Sequence, residues 1–153
     1  MSWGGFSMRR LAIIAIFVVA TGCLFCSSCA PQYQDPATGA EARYEWETLK
    51  AELDQPISEV YYAAKDTARE LDLRPLRYDL DGIAAEIIAL DAHFETVNIR
   101  VETLPESRSL LTIRIGLFGD KNKSVVLFSE IMERLALREG AYSKYFTPSD
   151  DPR

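Results

Sequence analysis

The sequence predicts an α+β fold: a two-layer domain in which an antiparallel sheet of about five strands carries two helices on one face, in the order β-α-β-β-β-β-α. Three observations predict it. Apolar residues alternate with polar ones in several short runs, two longer runs repeat their apolar residues every three to four positions, and turn-forming residues fall between the runs. Single-faced strands and amphipathic helices bury their apolar sides most simply when both helices cover the same face of the sheet. At 153 residues, 48% hydrophobic and 26% charged, the chain has room for one ordinary core and not two.

The first 22 residues read as a signal. Residues 1–10 end in Arg9 and Arg10, and residues 11–20 (LAIIAIFVVA) are an unbroken apolar run, the n-region and h-region of an export sequence. Ala20-Thr21-Gly22 then place small residues directly before Cys23, a pattern that resembles the lipobox of bacterial lipoproteins. In such signals the cysteine thiol receives diacylglycerol, the chain is cut before it, and the new N-terminus gains a further acyl chain such as palmitate. Cys29, preceded by Ser27 and Ser28, is the second choice, whereas Cys26 follows the bulky Phe25. An uncleaved inner-membrane signal anchor is the alternative, with a span of about 24 Å of helix against a bilayer core near 30 Å. Both readings put the domain outside the cytoplasm, because the arginines stay inside. Leu24 is not the Asp that marks inner-membrane retention, so a lipidated chain is expected at the outer membrane, facing the periplasm.

Residues 23–42 mix Ser, Pro, Gln and small residues without a period and read as a lipidated flexible tether. The compact domain is expected over residues 43–137. Residues 43–53 alternate through Tyr44, Trp46 and Thr48 and then change parity at Leu49, Ala51 and Leu53, which suggests one strand with a bulge. Pro56 opens a helix whose stripe is Ile57, Val60, Tyr61, Ala64, Ala68 and Leu71. Residues 73–78 and 83–89 form a hairpin across Asp81-Gly82, where Gly82 is expected to supply a positive φ. Val97, Ile99 and Val101, then Leu111, Ile113 and Ile115, mark two more half-buried strands around Pro105-Glu106-Ser107, and Val125, Phe128, Ile131, Met132 and Leu135 mark a final helix from Ser124 onward. Residues 138–153, with Gly140, Pro148, Pro152, Asp150 and Asp151, read as a frayed acidic tail.

Charge and cysteine usage exclude several classes of function. The formal charge is -6 with 17 basic and 23 acidic residues; loss of Arg9 and Arg10 with the signal leaves 15 against 23, or -8. Such a surface repels nucleic acid and anionic headgroups. All three cysteines precede the domain, so it has neither a disulfide nor thiol chemistry. The C-x2-C-x2-C run lacks the fourth thiolate and the folded pocket of an iron-sulfur site.

Among candidate sites, residues 113–120 (IRIGLFGD) are the most distinctive. Gly116, Gly119 and Asp120 precede a helix, where free amides form a ligand or anion nest, although glycines that turn the strand and an Asp that caps the helix explain the same residues. His93, the one histidine, lies beside Asp91 and Glu95 in a loop, where a solvated turn is the simpler reading than a general base or metal ligand. Asp66, Glu70 and Asp72 interleave with Lys65, Arg69, Arg74 and Arg77 as a solvated helix surface does. No nucleophile elbow or phosphate loop is present, so no catalytic residue, metal or cofactor is expected and the chain reads as a non-enzyme. Trp46 with Tyr44, and Tyr61 with Tyr62, are expected to pack in the core.

These features together resemble a family of small bacterial lipoproteins classed as a domain of unknown function. The likeness rests on the lipobox, on Pro56 followed by Val60-Tyr61-Tyr62-Ala63-Ala64, on Glu70-Leu71-Asp72-Leu73, on Gly82, and on the IRIGLFGD run before the last helix. The resemblance implies a location and a fold and carries no activity. The expected function is therefore that of a lipid-anchored envelope protein whose domain binds another envelope protein through its sheet or an edge strand. The alternative is a carrier of a small ligand or lipid in a pocket between helices and sheet.

Overall fold

The computed structural model describes residues 32–145, with side chains to residue 140. The signal segment, Cys23, Cys26, Cys29 and the end of the tail lie outside the described residues. In chain order the elements are β1 (Gln32–Gln34), β2 (Glu41–Glu45), β3 (Thr48–Leu53), α1 (Ile57–Glu70), β4 (Arg74–Leu80), β5 (Ala84–Leu90), β6 (Thr96–Thr103), a 3-10 turn (Pro105–Ser107), β7 (Ser109–Ile115) and α2 (Lys121–Tyr145). The strands form one seven-stranded sheet in the order β1-β2-β3-β7-β6-β5-β4, antiparallel at every junction. The fold class is α+β, with seven strands rather than about five.

The two extra strands come from the N-terminal third. Residues 43–53 are a hairpin and not a bulged strand: the parity change falls at Trp46-Glu47, where both residues take positive φ (48° and 63°), the two-residue turn that matches the twist of paired strands. The sequence reading missed it because such turns normally carry Asn or Gly. Part of the expected tether is also in the sheet, since Gln32 to Gln34 pair with Glu41 to Arg43. Tyr33 holds β1 down, its hydroxyl sharing a 2.9 Å hydrogen bond with Ser129 and its ring meeting Phe128 edge-on. The β1–β2 turn is closed by the buried Asp35 carboxylate, which accepts from the Thr38 amide at 2.9 Å and hydroxyl at 2.7 Å.

Elsewhere the expected strands fall within a residue or two of their places. Gly82 is not in the left-handed region; the β4–β5 turn instead relies on the Asp81 carboxylate accepting from the Ile83 amide at 3.1 Å, and Ile83 stays outside the strand. The irregularity in the sheet lies in β4, between Pro75 and Arg77. α2 begins three residues before Ser124 and continues to Tyr145, so the first part of the expected tail is helical. There Arg138 pairs with Asp66 at 2.6 Å and Glu139 accepts from Gln55 at 2.9 Å.

Register explains the core. Leu49 pairs with Ile113 and Ala51 with Leu111; Ile99 in turn meets Ile113 and Ile87. Every alternate residue of β3, β5, β6 and β7 thus points to the same side, and those residues are buried. α1 crosses this face on its way from the interior strand β3 to the edge strand β4, packing on β5 and β6. α2 returns over β3 and β7, and the helices pack on each other. Phe128, Ile131, Val60, Ala63 and Ala64 fill the space between helices and sheet. The opposite face of the sheet is open to solvent.

Candidate functional site

One end of the molecule gathers features that packing does not account for. The β2–β3 turn, the β5–β6 loop, the β7–α2 loop and the connection from α1 to β4 all lie at this end, because β2, β5 and β7 run toward it and β3, β4 and β6 away from it. Their tips carry Trp46, Phe94, Leu117 and Phe118, which are 92%, 76%, 75% and 78% exposed. Trp46 is therefore not a core residue, in contrast to Tyr44 and Tyr61, which do pack against the core; Tyr62 is partly exposed.

The loops are held rigidly. Gly119 sits at φ +71° so close to the β2–β3 turn that a Cβ on it would lie 2.2 Å from the Glu47 carbonyl oxygen. Arg114 reaches back to Glu47 at 3.0 Å and donates to the Leu117 carbonyl. On the other side, Lys123 binds Asp91 at 3.0 Å and Glu95 at 2.5 Å, fastening the loop that bears Phe94 to the start of α2. Those hydrogen bonds, to Glu95 first and Asp91 second, push the Lys123 ammonium above its usual range. Burial acts to raise the Asp91 carboxyl, but hydrogen bonds from the Glu95 amide, Lys123 and the His93 amide outweigh it and hold the group below the ordinary carboxylate range. Burial, then the Glu47 and Asp120 charges, push the Tyr44 phenol up.

The residues singled out in the sequence fall in or beside this end. Gly116, Gly119 and Asp120 share the β7–α2 loop, where the Gly116 amide donates to the Thr96 carbonyl at 2.8 Å and Asp120 caps α2 by accepting from the Lys123 amide at 3.0 Å. That cap puts a carboxylate where an anion in the nest would sit. His93 is exposed in the β5–β6 loop, and its neighbour Asp91 is committed to Lys123 and backbone amides. The charges of α1 bind across to α2, Glu70 with Arg134 and Asp66 with Arg138, while Lys65 lies over the Tyr78 ring. Among the described residues no group of three or more His, Cys, Asp and Glu is placed to hold a metal, and no helix is long and apolar enough to cross a membrane.

Between the end of α1, the start of α2 and the sheet runs an apolar groove of about 330 Å³ lined by Leu71, Leu73, Val97, Ile115, Val126 and Leu127. A second hollow, of about 460 Å³, lies on the open face of the sheet between Glu41, Arg43, Glu45, Lys50, Glu52 and Leu110. Two of the loop-tip aromatics had a signal in the sequence: Trp46 stands between Glu45 and Glu47, and Phe94 between His93 and Glu95, where a lone apolar side chain has no apolar neighbours to continue a core face.

A family model described as "Protein of unknown function (DUF3568)" matches residues 11–134. No curated protein matches the chain. Among solved structures, the crystal structure of CalU16 from Micromonospora echinospora aligns at 13% identity over 74% of this chain and 92% of that one, with a TM-score of 0.31.

Proposed function

The chain belongs to the DUF3568 family, and from that premise we propose that it is a non-enzymatic envelope lipoprotein, lipidated at Cys23, whose domain binds another envelope protein across the open face of its sheet. The observation that carries the binding site is on β2 and β3. Arg43 and Lys50 stand directly opposite each other, an arrangement that destabilises a sheet, and among the described residues neither lies within ion-pair distance of a carboxylate. A partner's acidic group would relieve that repulsion. Glu41, Glu45 and Glu52 around the same hollow suit basic groups of the same partner, so a polypeptide surface of mixed charge fits best.

The edge strands are poorer candidates. β1 has three residues, and β4 carries Pro75, an irregular register and the Arg77–Asp79 pair at 2.7 Å, all devices that discourage strand addition. The lipobox supports attachment through acyl chains, with Cys29 as the second site, and Leu24 supports the outer membrane facing the periplasm. Two tests decide the reading. The intact mass of the membrane-extracted protein is expected to show a chain starting at Cys23 with acyl mass, lost in Cys23→Ala; a full-length unmodified chain would mean a signal anchor instead. A photo-crosslinker at Thr112 on the open face is expected to capture one envelope protein reproducibly in cells, and one at Leu76 on β4 to capture none. No reproducible adduct at Thr112 would sink the binding proposal.

The apolar groove beside Leu71 and Val126 favours a second reading, a carrier for a lipid chain or small apolar ligand, since its size is at the lower end of ligand pockets. Native mass spectrometry finding only empty protein would remove it.

A further inference from the structure

We infer that the loop-tip end of the domain seats on the bilayer that anchors the chain, with Trp46, Phe94, Leu117 and Phe118 in the headgroup layer. The inference rests on the anchoring proposed above and adds the face that meets the lipid.

Position carries the first part. Gln32 pairs with Arg43 and Gln34 with Glu41, so β1 runs away from the Trp46 turn and the chain enters the sheet at the end that bears the four exposed apolar side chains. Cys23 precedes Gln32 by nine residues, at most about 30 Å of extended chain. A domain tied so closely at this end meets the membrane with this end first.

Chemistry carries the second part. Trp and Phe favour the membrane interface, where an apolar ring enters lipid and its surroundings stay wet. Nothing in the fold requires these rings. Trp46 and Phe94 have positive φ, 48° and 63°, a conformation that bulky residues rarely adopt, and both are exposed. An Asn or Gly would relieve the backbone and remove apolar surface from water. A lipid headgroup layer gives these rings the apolar surroundings that the domain itself does not. The charges near the tips are of both signs: Arg114, Lys121 and Lys123 against Glu47, Glu95, Asp91 and Asp120. With the net acidic charge of the chain, they fit a zwitterionic lipid surface rather than an anionic one. The opposite end is more polar, since its turns hold Asp35, Thr38, Asp81, Glu106 and Ser107, with Ile83 and the less exposed Leu80 beside it as the large apolar side chains of one turn.

The two tryptophans are Trp3 and Trp46, so a Trp3→Phe background makes Trp46 the single reporter whether or not the signal is cleaved. The full chain, extracted from membranes, is reconstituted in phosphatidylcholine–phosphatidylethanolamine vesicles with and without brominated acyl chains. Seating predicts blue-shifted Trp46 emission, quenching by the brominated lipid, and a loss of at least about half that quenching when Leu117 and Phe118 are both changed to Ser, since each apolar group withdrawn from lipid lowers partitioning by about tenfold. Ile83→Ser, an equally exposed change at the other end, leaves it unchanged. A chain that fails to float with vesicles overturns the anchor and the seating together. A chain that floats with Trp46 solvated and unquenched overturns the seating alone. Trp46 shielded from acrylamide yet unquenched by brominated lipid also overturns it, in favour of a second copy of the chain on this surface.

Discussion

Replacing Gly119 with Ala tests how the loop-tip end is locked. Two effects add there. At φ +71° an L-residue costs about 1–2 kcal/mol more than Gly, less the ~0.4–1 kcal/mol gained by stiffening the unfolded chain. The new Cβ would also stand 2.2 Å from the Glu47 carbonyl oxygen and 2.7 Å from its Cα, and since both are main chain, the β2–β3 turn itself must shift. Forced overpacking of this kind costs about 1–3 kcal/mol, so Gly119→Ala is expected to destabilise by about 2–4 kcal/mol. Gly39 provides the control, because its φ is +74° with nothing within 4 Å of a Cβ, leaving only the conformational part, about 1 kcal/mol. Gly82→Ala, in open space and outside the left-handed region, is expected to be neutral or slightly stabilising. Urea unfolding followed by far-ultraviolet circular dichroism reads all three with a common m-value. If Gly119→Ala cost no more than Gly39→Ala, the close approach of the two loops would not be a constraint, and the argument for a rigid end would fall.

Two further outcomes are expected. Burial acts to raise the Asp35 carboxyl, but the Thr38 hydroxyl and amide, with Ser129, outweigh it and hold the group low; a lowered folded pKa stabilises fully above the unfolded value of about 3.9 and loses that stabilisation as pH falls through the folded value. Asp35→Asn should therefore destabilise by about 1–3 kcal/mol at pH 7, with the gap to wild type closing below about pH 3.9; a gap constant from pH 7 to pH 3 would contradict this. Phe128→Ala, at a side chain with no exposed surface, should cost about 3–5 kcal/mol and loosen β1 through Tyr33, whereas Phe118→Ala should stay within about 0.5 kcal/mol. Equal losses in the two denaturation curves would refute the assignment of inside and outside.

Much of the fold is legible in the residues, and the misses have physical causes. Period-two runs such as Val97-Asn98-Ile99-Arg100-Val101 and the stripe from Val60 to Ala68 report a one-sided core directly, and register then buries the same residues. The β2–β3 turn was hidden because Trp46 and Glu47 carry none of the usual turn chemistry, and β1 because three residues show no period at all. The decisive contacts for β1, Tyr33 with Phe128 and Ser129, join residues almost a hundred positions apart. In Gly116, Gly119 and Asp120 the legible part is the local turn of a strand into a helix, with positive φ at both glycines and Asp120 capping α2. What no pattern could reveal was that their loop abuts the Trp46 turn, since that adjacency is created by the β3–β7 pairing.

That pairing also sets a timetable. β3 lies third in the chain and third across the sheet, yet its inner neighbour is the last strand, with Leu49 waiting for Ile113, 64 positions later. Until β7 is available, the inner edge of β3 has no partner, so the N-terminal hairpin alone cannot complete the sheet, and closing its centre is a long-range contact of the kind that slows folding.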